Sequence, residues 1–134
     1  MKYKEVKKRR AYGHLKHHHF VDENGQSRGE NRAYYDNGQT WWRYFSRNGS
    51  DYGEVKEFNF DGTLQFHYLM DGRGNALASV IDEGDPATHT EEQLIEIAKE
   101  HGVPLLSDLP KTEAELTHWN LKHPDCPCLP IESE

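Results

Sequence analysis

The sequence has few of the residues that build covalently linked frameworks. Its only cysteines are Cys126 and Cys128 among 134 residues, which is too few for the disulfide framework of a small secreted domain. No apolar run approaches the length of a membrane span, and the first residues have no apolar segment typical of a signal peptide. We therefore expect a cytoplasmic protein that makes no contact with a membrane.

The sequence also lacks the motifs of common catalytic sites. It contains no Gly-x-Ser-x-Gly elbow and no glycine-rich phosphate loop that leads into Lys-Ser or Lys-Thr. Carboxylates are so abundant that no pair of them stands out as a general acid and base. These absences predict a protein that is not an enzyme and has no organic cofactor.

Charge is distributed unevenly along the chain. Residues 1–19 have a net charge of +6 and residues 82–134 have −10, within a total of −7. The basic end includes Lys7, Lys8, Arg9 and Arg10, which could contact the phosphates of a nucleic acid. The same charges are equally typical of a solvated terminal arm on an acidic protein.

A period of 24 residues organises the middle of the chain. Pairs of residues recur at this spacing, which is the pattern of stacked structural repeats. Asn-Gly and Asp-Gly between short aromatic-rich runs are typical of tight turns between β-strands. Two such turns in each period predict two strands in each repeat and therefore an antiparallel meander. The recurring pairs are Asn24-Gly25 with Asn48-Gly49, Gly29-Glu30 with Gly53-Glu54, and Asn37-Gly38 with Asp61-Gly62.

The expected fold is α+β, with one antiparallel β-meander followed by two C-terminal helices in a single domain over residues 1–134. We expect Gly38 and Gly62 to adopt positive φ as the second residue of two-residue hairpin loops. The predicted strands are 15–21, 31–36, 40–46, 53–60, 63–70 and 76–81. The predicted regions are a basic arm over 1–12, the repeat sheet over 13–81, a linker over 82–89, helices over 90–123 and a proline-rich tail over 124–134.

Two segments after the repeats have the signals of helix starts. Thr90 with Gln93, and Thr112 with Glu115, each match a capping box. Leu94, Ile97 and Ala98 then follow at the spacing of one helix face. In the second helix the apolar residues are Leu116, Trp119 and Leu121, which give only a weak amphipathic pattern.

The repeated segment resembles the MORN-variant repeat. The residues that carry the resemblance are Gly29-Glu30-x-x-x-Tyr34-Tyr35-Asp36-Asn37-Gly38-Gln39 and Gly53-Glu54-x-x-x-Phe58-x-Phe60-Asp61-Gly62. The resemblance covers roughly residues 20–75 and leaves the C-terminal region outside. Repeats of this kind occur in bacterial proteins, including antitoxin-like ones, and in small proteins of tailed phages, where they form elongated antiparallel sheets that bind proteins. The resemblance implies a phage or bacterial accessory protein in the cytoplasm of a bacterial cell, which binds a host protein or inhibits a nuclease or toxin.

Aromatic and arginine side chains cluster on the predicted second and third strands of the sheet, over residues 31–36 and 40–46. Adjacent residues of a strand point to opposite faces, so we expect Trp41 and Trp42 to diverge and at least one of them to be exposed. Because Trp, Tyr and Arg dominate interface hot spots, this strip is the predicted binding surface for a protein partner. The alternative occupants of this surface are a second copy of the chain and a single-stranded nucleic acid that the basic arm would also contact. The predicted surface contains Tyr34, Tyr35, Trp41, Trp42, Arg43 and Tyr44.

The C-terminal end contains one candidate metal site. His118, His123, Cys126 and Cys128 supply four nitrogen or sulfur ligands, the number that a structural zinc ion takes. The Cys-x-Cys spacing is tighter than the usual Cys-x-x-Cys, so the alternative is a pair of reduced cysteines that pack as small apolar residues.

Overall fold

In the part of the chain that the structure describes, seven antiparallel strands form one sheet, in which every strand pairs with its neighbours in the sequence. The computed structural model describes residues 3–9, 11, 15–47, 49–82, 86–123 and 127–129. The strands are β1 (Tyr3–Arg9), β2 (Leu15–Asp22), β3 (Gly29–Tyr34), β4 (Thr40–Arg47), β5 (Ser50–Phe58), β6 (Leu64–Asp71) and β7 (Ala76–Asp82). The predicted meander is therefore confirmed.

The β3–β4 and β5–β6 hairpins have loops of the same construction. In the first, the Gly38 N–H donates to the Tyr35 carbonyl at 3.0 Å and the Tyr35 N–H donates to the Gln39 carbonyl at 2.9 Å. The predicted positive φ is confirmed, at 87° for Gly38 and 92° for Gly62. The predicted two-residue loop is wrong, because the hydrogen bonds enclose three residues. This loop is a type I turn that ends in a left-handed glycine, the usual construction of three-residue hairpins.

The basic N-terminal segment is an edge strand and not an arm. Along β1, Val6 pairs with His19 and Lys7 pairs with His18. The segment has little apolar content, which is why the sequence pattern predicted an arm. Lys7, Lys8 and Arg9 are exposed on this strand, as charged side chains commonly are on sheet edges. Arg10 lies outside the described residues.

Two helices and a short 3₁₀ turn follow the sheet. Helix α1 spans Glu91–His101, the 3₁₀ turn spans Leu106–Asp108, and helix α2 spans Glu113–Lys122. The predicted capping box of α1 is confirmed: the Gln93 N–H donates to Thr90 Oγ1 at 3.1 Å and the Thr90 N–H donates to Gln93 Oε1 at 2.8 Å. In α2, the Glu115 N–H donates to Thr112 Oγ1 at 3.1 Å.

The helices cover one face of the sheet with two apolar clusters. In the first cluster, Leu94 and Ala98 of α1 pack on Leu69 of β6 and Ala78 of β7. In the second cluster, the Trp119 ring of α2 stacks on Phe45 of β4 at a centroid distance of 5.8 Å. Leu121 was expected on the apolar side of α2, but its side chain is 77% exposed. This helix therefore attaches to the sheet through Trp119 and Leu116.

Candidate protein-interaction site

Five rings form a continuous aromatic cluster that starts on β2 and ends at the tip of the β5–β6 hairpin. His17 meets Trp42 edge to face at 5.4 Å, and the rings of Trp42 and Trp41 are 4.3 Å apart. Trp41 stacks on Tyr35 at 5.3 Å, and Tyr35 meets Phe60 edge to face, also at 5.3 Å. Phe60 is 55% exposed. We use the name aromatic cluster for these five residues.

A β-bulge brings the two tryptophans together. Ala33 pairs with Trp42 and Tyr34 pairs with Thr40, so Trp41 is an extra residue without a partner of its own on β3. Such a bulge re-aims a side chain and interrupts the alternation of the strand. The expectation that Trp41 and Trp42 point to opposite faces is therefore wrong. Both indoles are half-buried, each partly by the other.

The sheet divides the other predicted surface residues between its two faces. Tyr44 alternates with Arg43 and therefore lies on the face of Trp42, which is opposite to the helices. Arg43 lies on the helix-facing side, where its Nε donates to the carboxylate of Glu30 at 3.0 Å. Tyr34 is only 8% exposed. The proposed contact surface therefore retains Tyr35, Trp41 and Trp42, with Tyr44 beside them.

Tyr35 of the cluster and Tyr68 on the same face of the sheet both have raised pKa values. The Tyr35 hydroxyl donates to the Phe58 carbonyl at 2.7 Å, and desolvation, together with Glu57 and Asp61, raises the pKa of Tyr35. On the same face, burial and the nearby carboxylate of Asp51 raise the pKa of Tyr68 to about 12. Both phenols therefore stay protonated at neutral pH, and what they offer to a partner is ring area.

Two members of the cluster, His17 and Phe60, are not among the predicted surface residues. Phe60 is the first of the three residues that the β5–β6 loop encloses, where no strand alternation assigns it to a face. The signal that could have identified Phe60 is the repeat itself. Phe60 stands two residues after Phe58, at the position that Asp36 occupies two residues after Tyr34 in the preceding repeat. An apolar ring at a loop position that is polar in the preceding repeat is unusual.

The helix-facing side carries a second repeated arrangement. Three times across the sheet, a buried or half-buried basic residue forms a hydrogen bond with the carboxylate of the glutamate 13 residues before it. The three pairs are Glu5–His18 at 2.5 Å, Glu30–Arg43 at 3.0 Å and Glu54–His67 at 2.6 Å. Glu30 binds a second arginine, Arg32, whose Nε donates to Glu30 Oε2 at 2.7 Å.

Two of these carboxylates hold segments of the C-terminal region. At Glu54, the backbone N–H donates to the Pro104 carbonyl at 2.9 Å, and Oε1 accepts from the Leu106 N–H at 2.8 Å. Burial would raise the pKa of Glu54, but the hydrogen bonds from His67 and Leu106 outweigh it and lower the pKa. Gly53 allows the Pro104 backbone to lie this close to the sheet, because a Cβ at residue 53 would be 2.3 Å from the Pro104 carbonyl oxygen.

The same contacts recur one repeat earlier. The Glu30 N–H donates to the Pro127 carbonyl at 2.8 Å, and Glu30 Oε1 accepts from the Leu129 N–H at 2.9 Å. A Cβ on Gly29 would lie 2.4 Å from the Pro127 carbonyl oxygen. The repeated Gly-Glu dipeptide is therefore a docking site for a segment of the form Pro-x-Leu.

A groove of about 780 Å³ lies on the helix-facing side, between the hairpin tips and α1. Its charged lining includes Arg43, Lys56, Glu54 and Glu91. Charges of both signs line it, and Arg43 and Glu54 are already engaged with Glu30 and His67. The lining therefore does not select an anion or a cation.

The candidate zinc ligands lie in different surroundings. His118 is exposed on α2, and the His123 ring stacks on Trp119 at 4.1 Å. Cys128 is buried, and its N–H donates to Asn120 Oδ1 at 2.9 Å. Cys126 lies outside the described residues, within which no group of three or more His, Cys, Asp or Glu side chains is placed to hold a metal ion. The zinc site stays a prediction from the sequence.

Comparison with known proteins does not connect the site to a family. No family model matches the chain, and no match was found among curated proteins or solved structures. Within the part of the chain that the structure describes, no helix is long and apolar enough to cross a membrane.

Proposed function

We propose that the protein is a non-enzymatic protein-binding module that contacts its partner through the aromatic cluster. The observation that carries the proposal is the run of five rings in mutual contact on the sheet face opposite to the helices. Rings that pack on one another are already oriented, so they lose little side-chain entropy when a partner covers them. Contiguous aromatic surface that stays partly exposed, as it does here, is typical of interaction sites.

The partner class follows from the chemistry of the cluster. Tryptophan and tyrosine provide large apolar contact areas with a polar edge, and such side chains are common at the centres of protein interfaces. The resemblance to MORN-variant repeats supports the same class. It extends the proposal to a phage or bacterial accessory protein that binds a host protein or inhibits a nuclease or toxin.

The test compares two exposed apolar side chains on opposite sides of the molecule. Phe60→Ala removes the outermost ring of the cluster, whereas Leu121→Ala removes an apolar side chain that is 77% exposed on α2. The tagged wild-type chain is used to isolate a partner, whose dissociation constant is then measured for all variants. We expect Phe60→Ala and Trp41→Ala to weaken binding by about 2 kcal/mol each, and Leu121→Ala to leave it unchanged. Equal affinity for all variants would contradict the proposal.

A second copy of the chain is another occupant that this experiment identifies. If the isolated partner is the chain itself, sedimentation should show a dimer that Phe60→Ala dissociates and Leu121→Ala does not. Dimerisation through the cluster keeps the proposed face and changes only the identity of the partner.

One contact favours the alternative of a nucleic-acid partner. Lys8 on β1 pairs with His17, which is a member of the aromatic cluster. Basic residues beside stacked rings are typical of surfaces that bind single strands. Titration of a labelled single-stranded oligonucleotide tests this, and we then expect the affinity to fall steeply with salt and to be lost when Lys7, Lys8 and Arg9 are changed to Gln. Salt-independent or absent binding would exclude it.

A further inference from the structure

Three equivalent constellations of side chains lie on the helix-facing side of the sheet. Each consists of a carboxylate, a basic residue 13 positions later and an apolar residue two positions after that. The register places the apolar residue directly opposite the carboxylate in each case. The constellations are Glu5, His18 and Phe20, then Glu30, Arg43 and Phe45, then Glu54, His67 and Leu69.

Two of the constellations are covered by two matching arms of the C-terminal region. Each arm is a helix capped by threonine and followed by a Pro-x-Leu segment. The α1 arm, residues 90–109, places Leu94 on Leu69 and the Leu106 N–H on Glu54. The α2 arm, residues 112–129, places Trp119 on Phe45 and the Leu129 N–H on Glu30. The order is reversed along the sequence: the α1 arm comes first but covers the later site at Glu54, and the α2 arm covers the earlier site at Glu30.

The third constellation is the most open of the three. The side chains of Glu30 and Glu54 are 0% and 8% exposed, whereas that of Glu5 is 36% exposed. Phe45 and Leu69 are fully buried, whereas Phe20 is half-buried. Glu5 Oε1 accepts from His18, and no N–H among the described residues reaches Oε2. In the two covered sites, the second carboxylate oxygen accepts the amide of the arm.

We propose that the site formed by Glu5, His18 and Phe20 binds an arm of a partner protein, namely a short helix followed by a Pro-x-Leu segment. The helix packs on Phe20, as Trp119 packs on Phe45. The amide two residues after the proline donates to Glu5, as the Leu106 amide donates to Glu54. This site lies on the opposite face from the aromatic cluster, so it is independent of the function proposed above.

The charges around the third site favour an acidic arm. Lys7 lies two residues after Glu5 and therefore on the same face of β1; it is exposed, and its Nζ lies 3.6 Å from Glu5 Oε1. Lys4 and Lys8 are also exposed on this edge strand, on its other face. The α1 arm itself has five acidic residues and one lysine. A partner arm with this balance would be attracted to the basic edge strand.

One residue differs between the third site and the other two. Lys4 stands where Gly29 and Gly53 precede the other carboxylates, and β1 continues through it in regular pairing with Val21. The glycine corner that presents the Glu N–H to the proline carbonyl is therefore missing at Lys4. A partner arm makes one fewer hydrogen bond here than the arms of the chain make at their own sites, which is suited to a reversible contact.

The test uses the full chain, labelled with ¹⁵N, and a synthetic peptide of residues 90–109 as the probe. We expect saturable shifts of the Glu5, His18 and Phe20 amides. A matched peptide with N-methyl leucine at the position of Leu106 lacks the donor for Glu5, and we expect it to bind about tenfold more weakly. No shifts at β1 and β2, or equal affinity of the two peptides, would overturn the proposal. Shifts confined to His67 and Leu69 would mean exchange with the resident α1 arm and would also overturn it.

Two variants of the protein complete the test. Glu5→Ala removes the acceptor at an exposed position, and we expect it to weaken the peptide about tenfold while the rest of the spectrum stays unchanged. Lys4→Gly permits the glycine corner, and we expect about fivefold tighter binding because one hydrogen bond is added. Unchanged or weaker binding to Lys4→Gly would show that the three sites are not equivalent.

Discussion

Glycine has two different roles in this sheet, and the space around each residue distinguishes them. Gly38 and Gly53 have nearly the same φ, 87° and 89°. A Cβ on Gly38 would have nothing within 4 Å, whereas a Cβ on Gly53 would lie 2.3 Å from the Pro104 carbonyl oxygen. Gly38 therefore provides only a turn conformation, and Gly53 also provides the space in which the α1 arm docks.

The pair Gly38→Ala and Gly53→Ala separates backbone strain from the loss of docking. We expect Gly38→Ala to lower the free energy of unfolding by about 1–2 kcal/mol, since alanine resists positive φ. Gly53→Ala has the same strain and also displaces the proline, so we expect about 3 kcal/mol or more. Urea unfolding measures both. Equal losses would mean that the arm does not need the glycine.

The Glu54 carboxylate makes stability depend on pH in a defined direction. Its pKa is lowered from 4.5 in the folded chain, so its contribution is complete above that value and is lost as the pH falls through the folded pKa. Glu54→Gln should lower the free energy of unfolding by about 2 kcal/mol at pH 7, because two hydrogen bonds to a charged acceptor are weakened.

As the pH falls below 4.5 and through the lowered pKa of Glu54, the difference in stability between wild type and Glu54→Gln should narrow, because the wild-type carboxylate becomes protonated. The matched control is Glu96→Gln on the exposed side of α1, which should change stability by less than about 0.5 kcal/mol. Urea unfolding between pH 3 and pH 7 measures both variants. A loss for Glu54→Gln that is constant over this range would contradict the assignment.

At the scale of elements, α2 attaches to the sheet through Trp119 and Leu116, and Trp119 makes the ring contact. Trp119 stacks on Phe45, while Leu121 is 77% exposed on the same helix. We expect Trp119→Ala to lower the free energy of unfolding by about 3 kcal/mol and Leu121→Ala to change it by less than about 0.5 kcal/mol. Thermal and urea unfolding of the two variants measure this, and similar losses would contradict the observed orientation of the helix.

Turn chemistry made most elements predictable, and non-local contacts account for the rest. The Asn-Gly and Asp-Gly pairs indicated the hairpins, and Thr90 with Gln93 indicated the start of α1. Strand β1 has too few apolar residues to be recognised, and its place in the sheet depends on pairing with β2, where Glu5 meets His18. The joint position of Trp41 and Trp42 depends on a bulge, which the alternation rule does not include.

The docking of the arms was also outside the reach of local patterns. The Gly-Glu repeat was visible, but its purpose becomes clear only when Pro104 and Pro127 are seen to accept its amides. The 13-residue spacing from glutamate to base and the two Pro-x-Leu segments were both present in the sequence. They could have suggested two matching sets of sites and arms.

At the scale of the whole molecule, the described residues form two sets of repeats. One set is the strands of the sheet, and the other is the two C-terminal arms that pack on one face of it. In such arrays each unit contacts mainly its neighbours, and stability is close to a sum of unit and interface contributions. The two apolar clusters under the arms share no residue. The 3₁₀ turn nevertheless contributes Leu106 to the second cluster while its amide docks at Glu54, so the arms are in contact.

Double-mutant cycles test whether the two clusters are energetically separate. Leu94 belongs to the first cluster and Trp119 to the second, so the losses from Leu94→Ala and Trp119→Ala should add within about 0.5 kcal/mol. Leu109 shares the second cluster with Trp119, and the cycle of Leu109→Ala with Trp119→Ala should therefore show a coupling of about 1 kcal/mol or more. Urea unfolding of the single and double variants provides both couplings. A large coupling between Leu94 and Trp119 would mean that the arms pack as one layer, and that neither could be exchanged without disturbing the other.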